Sequence, residues 1–168
     1  LEQEFVRNRS SDLDQKVTQH IRKLIQLADS ECIETSQGTR ARLLHSAALL
    51  MIVQGKTKLS TSILLRALKA LNINEEDNQQ LLVNDPDTCI LVLTTIVKMN
   101  CALGNLAEAD RAVYLGRIIQ KKYSDQVSMF HRYQFRQNIA GYYYRTGNFK
   151  AAQRVYLKIA AEDHDGKI

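Results

Sequence analysis

Chain breakers are scarce in this sequence. Pro86 is its single proline, and only seven glycines are spread over 168 residues. Leu, Ala, Gln, Lys and Arg are plentiful, and no stretch shows period-two alternation between turn residues. Together these exclude a sheet and predict an all-α chain. Cysteine is scarce too. Cys32, Cys89 and Cys101 have no metal-ligand spacing and, being three, cannot all pair with one another, which predicts a reducing compartment: cytoplasmic, or nuclear in a eukaryote. No unbroken apolar run reaches the roughly 18 residues that cross a bilayer, and the polar start LEQEFVRNRSSDLDQ is unlike a signal peptide, so no membrane partner is expected. The chain opens on Leu1 rather than Met, as a piece of a longer protein would.

Catalytic signatures are also lacking. QGKTKLS (54–60) follows the apolar run LLHSAALLMIV and looks at first like a nucleotide-binding loop. A phosphate loop needs a second glycine five residues before Gly55, so that the backbone can wrap the phosphates; Leu50 stands there. His20, His45, His131 and His164 have no partners at zinc spacing, and no serine sits in a G-x-S-x-G elbow. Asp85, Asp87 and the acidic run at 75–77 lie at helix starts, where the macrodipole accounts for them. The expectation is a protein without enzymatic activity, catalytic residues, cofactor or metal.

What is present is helical periodicity. Leu13, Val17, Ile21, Leu24 or Ile25, and Ala28 fall on one face of a helix over 12–28, with Asp12 as its expected cap. Further helices are predicted from about Thr39, over Lys58 to Leu71, from Pro86 to about Leu103 with Asp85 as cap, and over 105–122, 127–145 and 149–162. Asn74 should cap a short acidic turn. Three glycines, Gly55, Gly104 and Gly147, each lie between two of these helices. Aligned on them, position −7 holds Ala48, Val97 or Ala140, and position +2 Thr57, Leu106 or Phe149. Position +5 holds Ser60, Ala109 or Ala152, position +9 Leu64, Val113 or Tyr156, and position +12 Ala67, Gly116 or Ile159. Small residues recur where helices must approach closely, which makes helix–glycine turn–helix an internal repeat.

On these residues, GNLAEADRAVYLG and above all AGYYYRTGNFKAAQRVYLKI, the chain resembles the tetratricopeptide repeat (TPR) family. Ala140, Tyr143, Gly147, Phe149, Ala152 and Tyr156 fit its pattern; the middle repeat has Asn100 at a usually apolar place, and the first is degenerate. The glycines are 49 and 43 residues apart, against about 34 in the standard repeat, so the resemblance is to an elongated variant. It implies one helical-repeat domain over 1–168, a right-handed α-solenoid of about seven helices. An N-terminal capping region (1–37) would precede helix pairs at 38–73, 85–124 and 126–163. It also implies that the first helix of each pair lines a groove for a partner protein or peptide. The groove candidates are Arg42, His45 and Ser46 in the first pair and Thr94, Thr95, Lys98 and Cys101 in the second. In the third they are Gln134, Gln137, Asn138, Gly141, Tyr144 and Arg145, with Asn138 standing where the family often holds a peptide backbone. Tyr143, Phe149 and Tyr156 are expected in the core.

Charge gives a second lead. The net charge is +5, and residues 111–158 hold ten Lys and Arg against Asp125 alone, with ten of the eleven aromatics. Such a segment can be a plain solvated face, a seat for an acidic peptide, or a single-strand nucleic-acid surface that combines phosphate contacts with stacking. The expected function is therefore non-catalytic binding of a protein or peptide by a module of a larger regulatory or assembly protein. Nucleic-acid binding through 111–158 is the alternative, and self-association through an uncovered terminal helix is a further expectation.

Overall fold

The computed structural model describes residues 2–30, 36–73 and 83–164. Among them are seven α-helices and no strand. They are α1 (Glu2–Asp29), α2 (Gln37–Val53), α3 (Thr57–Ala70), α4 (Pro86–Leu103), α5 (Leu106–Lys122), α6 (Met129–Arg145) and α7 (Phe149–His164), with a 3-10 turn at Ser124–Gln126. Cys32 and the expected Asn74 cap lie outside the described residues. The helices group into two compact units, Leu1–Leu81 and Leu82–Ile168.

In the first unit α2 packs against both α1 and α3. Small residues permit this: Ala41, Ala47 and Ala48 on α2 and Ser60 and Ala67 on α3 are fully buried, interleaved with Leu44 and Leu64. Ser36 caps α2, its side chain accepting from the Thr39 N–H at 3.2 Å. The α1 face is covered only in its second half: Ile21 and Ala28 are buried, while Leu13 is exposed. Asp12 is not a cap, because α1 starts ten residues earlier at Glu2, on a stretch free of breakers. It pairs instead with Lys16, one turn on, at 2.8 Å.

In the second unit α4 packs against α5 and α6, and α6 packs against α4, α5 and α7. Asp85 caps α4 as its sequence predicts, accepting from the Thr88 N–H at 3.0 Å and from the Thr88 hydroxyl at 2.7 Å, with Pro86 in the first turn. Helix α4 runs 18 residues at a mean hydropathy of 1.3, long and apolar enough by composition to cross a membrane despite the polar residues that interrupt it; 67% of it is buried in the fold. Asn100 is buried on this helix. It donates to the Ile96 carbonyl at 3.1 Å and accepts from the Asn105 amide at 3.4 Å, so its place among apolar neighbours leaves neither end of the amide unbonded.

The three glycine corners have one conformation. Gly55, Gly104 and Gly147 have φ of 72°, 78° and 77°. At each, the glycine N–H donates to the carbonyl three residues back: Ile52, Cys101 or Tyr144. The next N–H donates to the carbonyl five residues back: Met51, Asn100 or Tyr143. This Schellman pair satisfies carbonyls that the helix end would leave open, and the left-handed residue it needs is glycine because a Cβ there strains the backbone. A fourth copy ends α3. Asn72, at φ 58°, donates to Lys69 O, and Ile73 donates to Leu68 O. Asparagine is the usual substitute for glycine in this conformation.

Beyond the corners the aligned positions are buried in all three pairs at −7 and +5, and also at +12, where Ala67, Gly116 and Ile159 lie. They diverge at +2 and +9. Leu64 and Val113 are buried, but Phe149 is 61% exposed and Tyr156 48% exposed, so the expectation of both in the core is corrected. The reason is local. Among the described elements α7 packs chiefly on α6, and its side with Tyr156 and Leu157 is left exposed.

Candidate functional site

Helices α4 and α6 lie side by side and are tied at both ends. At their starts Asp87 accepts from the Ser128 N–H and lies against the His131 imidazole Nδ1, each at 2.8 Å. At their ends Arg145 donates to the Cys101 carbonyl at 2.9 Å. The sequence assigned Asp87 to the α4 macrodipole and gave His131 no partner, since 44 residues separate them. Burial acts to raise the Asp87 carboxyl, but hydrogen bonds from Ser128 and His131 outweigh it and hold the group below its ordinary value.

These contacts decide which groove candidates stay accessible. On α4 the neighbours leave open a stripe at steps of four, three and four, Leu91, Thr95, Lys98 and Ala102, together with Asp87 in the first turn and Leu103 in the last. Thr94 is 7% exposed, its hydroxyl spent on the Ile90 carbonyl at 2.6 Å, and Cys101, two turns further along α4, is buried too. Of the four α4 groove candidates, Thr94 and Cys101 are therefore covered, while Thr95 and Lys98 lie on the open side with Leu91 and Ala102. The composition of so apolar a helix does not show which side is left open. On α6 none of the candidates is covered. Gln134, Gln137, Asn138, Gly141, Tyr144 and Arg145 are all half-buried or exposed. Asn138 donates to the Gln134 carbonyl at 2.8 Å, which holds the amide in place and leaves its oxygen as an acceptor. Tyr144 stands edge-on to Phe149 at 5.4 Å between centroids, an exposed aromatic pair at the α6–α7 corner. Arg145 is partly committed to its tie with α4.

In the first unit Arg42 is exposed on α2, with Ser46 one turn on. His45 is 5% exposed, so it belongs to the interior of that unit and cannot line an open wall. The Gly55-Lys56-Thr57 stretch is a helix–helix corner in which Lys56 Nζ donates to Gln54 Oε1 at 2.8 Å. No strand precedes it, so the strand–loop–helix setting of a phosphate loop is absent there.

The basic, aromatic segment divides on folding. Phe135 and Tyr142 are buried, and Tyr123, Tyr133 and Tyr143 half-buried, while Tyr114, Phe130, Tyr144, Phe149 and Tyr156 are exposed. Several cations are engaged: Arg111 with Glu108, Arg136 with Glu162, and Arg117 over the Tyr143 ring at 5.3 Å. Tyr142 donates to Asp110 at 2.7 Å, joining α6 to α5. Burial and this acidic partner push its phenol up to about 12. Burial also raises both described thiols. Cys89 lies well above the ordinary thiol value, and Cys101 is raised despite the opposing pull of Arg145, so neither is an activated nucleophile. Among the described residues no three His, Cys, Asp or Glu side chains cluster as metal ligands would.

No family model, curated protein or solved structure matches this chain.

Proposed function

We propose that this chain is a non-catalytic binding module of the TPR-like, elongated-repeat kind, with α2–α3, α4–α5 and α6–α7 as its repeated helix pairs in a right-handed solenoid. It would serve as the interaction or sensing part of a larger regulatory or assembly protein. The observation that carries this reading is the repetition of one left-handed glycine corner, with the same two backbone hydrogen bonds, at Gly55, Gly104 and Gly147. The binding surface is the open side of α6, extended by the α4 stripe. Gln137 and Asn138 offer amide hydrogen bonds, Lys98 and Arg145 positive charge, and Tyr144 an exposed ring. Side-chain amides can match the alternating donors and acceptors of an extended peptide backbone, and the cations select acidic side chains.

The test is a fluorescence-polarisation titration with a pool of random decapeptides rich in Asp and Glu, against wild type and the triple variant K98E/Q137A/N138A. Saturable binding by wild type, weakened at least tenfold in a variant of unchanged circular dichroism, is expected; equal affinity of the two proteins refutes the surface. Nucleic acid is kept as a second reading because five aromatics of 111–158 are exposed among cations. A single-stranded oligothymidylate would then bind with an affinity falling steeply with salt. No binding at low salt removes that reading. Self-association would use the apolar side of α7, Tyr156 and Leu157. A Y156E/L157E variant that scatters light like an oligomeric wild type, or a wild type monomeric at high concentration, speaks against it.

A further inference from the structure

A second feature of the C-terminal unit lies away from the α4 stripe. Helices α5, α6 and α7 enclose a cleft of about 280 Å³. Its floor is apolar, from Ile139 and Val155, and its walls carry Arg117 and Gln120 from α5, Arg136 from α6, and Lys158 and Glu162 from α7. Three cations thus face one carboxylate, and that carboxylate is held by Arg136. Arg117 is braced over the Tyr143 ring at 5.3 Å, which fixes its position without neutralising it. Lys158 is exposed and forms no ion pair among the described residues. The cleft is therefore electropositive, with low-dielectric surface beneath it to concentrate the field.

The decisive group is Gln120. Its amide nitrogen is buried and has no hydrogen-bond acceptor. A buried donor without a partner costs stability, and native folds keep few of them, commonly where a bound group supplies what is missing. Gln120 also lines this cleft, whose charge favours an anion, and a rotation of its side-chain amide would turn the covered nitrogen towards an acceptor held there. We propose that this cleft is a binding site for a small oxyanion, a carboxylate or phosphate group. Gln120 Nε2 donates one hydrogen bond to it, and Arg117 and Lys158 provide charge-assisted contacts. Arg136, already neutralised by Glu162, shapes the wall. The volume falls below the range of pockets that enclose drug-sized molecules, so it suits a single anionic group and a few attached atoms, not a nucleobase. Two sources share this chemistry: a free small anion, and an acidic or phosphorylated side chain of a partner protein.

The experiment follows the side-chain amide resonances of Gln120 in the ¹⁵N-labelled chain during titration with inorganic phosphate, with succinate and with a phosphoserine hexapeptide, at constant ionic strength. Saturable movement of the Gln120 NH₂ pair is expected. Phosphate or succinate acting alone identifies a free anion as sufficient; movement with the peptide alone identifies a partner side chain. Lys158→Glu should weaken saturation at least tenfold. Gln120→Leu should abolish the anion-dependent rise in melting temperature without lowering the melting temperature in its absence, because it removes an unsatisfied donor. A Gln120 amide that none of the three probes moves at tens of millimolar, or a K158E variant that binds as wild type does, overturns the proposal. K98E/Q137A/N138A leaves the cleft intact, so the site and the peptide surface of α6 fail or stand separately.

Discussion

Replacing Gly116 by alanine should destabilise the protein, although the same change in an exposed helix stabilises it. Gly116 lies within α5, where glycine costs about 1 kcal/mol relative to alanine. On propensity alone G116A should gain that amount. An added Cβ, however, would sit 2.1 Å from Phe135 Cζ, 2.7 Å from Cε1 and 2.8 Å from Cε2. Carbon atoms rest comfortably at about 3.5–4.0 Å, so ring and helix would have to separate by roughly 1.4 Å or more. Phe135 is fully buried and has little room to retreat. Overpacking of this severity costs about 3 kcal/mol, the upper part of its usual range, leaving a net loss of roughly 2 kcal/mol. Gly141 on α6 is the control, since nothing lies within 4 Å of its added Cβ. There G141A should stabilise by about 0.5–1 kcal/mol. Urea unfolding followed by circular dichroism, with the midpoint and slope compared across wild type, G116A and G141A, measures both. A G116A protein as stable as wild type refutes the close α5–α6 approach. In an F135L background the G116A penalty should fall by at least half, and strict additivity would locate the strain elsewhere.

Three further outcomes follow from the corners and from two titrating groups. Alanine at Gly55, Gly104 or Gly147 should each cost about 1–2 kcal/mol in the same assay, because all three have left-handed φ, whereas Asn72→Gly should be neutral or mildly stabilising. The Tyr142 phenol is raised from 10.0 to about 12. The linked stability, about 1–2 kcal/mol once solvent screening is allowed for, is therefore complete below pH 10 and is lost as pH rises through about 12. Y142F should remove that alkaline loss, read from urea midpoints between pH 9 and 12, at a cost of about 1 kcal/mol near neutrality from the missing hydrogen bond to Asp110. Asp87 has a lowered folded-state value, so its contribution is full above the ordinary 3.8 and disappears as pH falls through the folded value. D87A should cost about 1–3 kcal/mol at pH 7 and flatten the acid limb of the stability profile, and an unchanged limb would show that the tie to Ser128 and His131 contributes nothing.

The sequence made the helices and their corners legible because both are local. Helix formers, the Asp85–Pro86 start and the left-handed glycines act within a few residues of themselves. The Asn72 corner escaped notice because asparagine takes up that conformation less regularly than glycine does. What the sequence could not show depends on neighbours. Thr94 and Thr95 are adjacent and chemically alike, and only the positions of α5 and α6 decide that the first is covered and the second borders the open stripe. Phe149 and Tyr156 sit at repeat positions that are interior only when another helix covers them. Gln120 has no signal in the sequence at all, because an unsatisfied amide is defined by the atoms that fail to reach it.

The two ties between α4 and α6 carry an implication for how such a chain can vary. Fourteen residues separate Asp87 from Cys101, and fourteen separate His131 from Arg145. At 1.5 Å per residue both spans measure about 21 Å, so the two rods act as matched struts bolted top and bottom. Lengthening either one alone by a turn would shift one bolt about 5.4 Å out of reach. Insertions tolerated here should therefore come in pairs of equal length, or gather in the loops beyond the bolts.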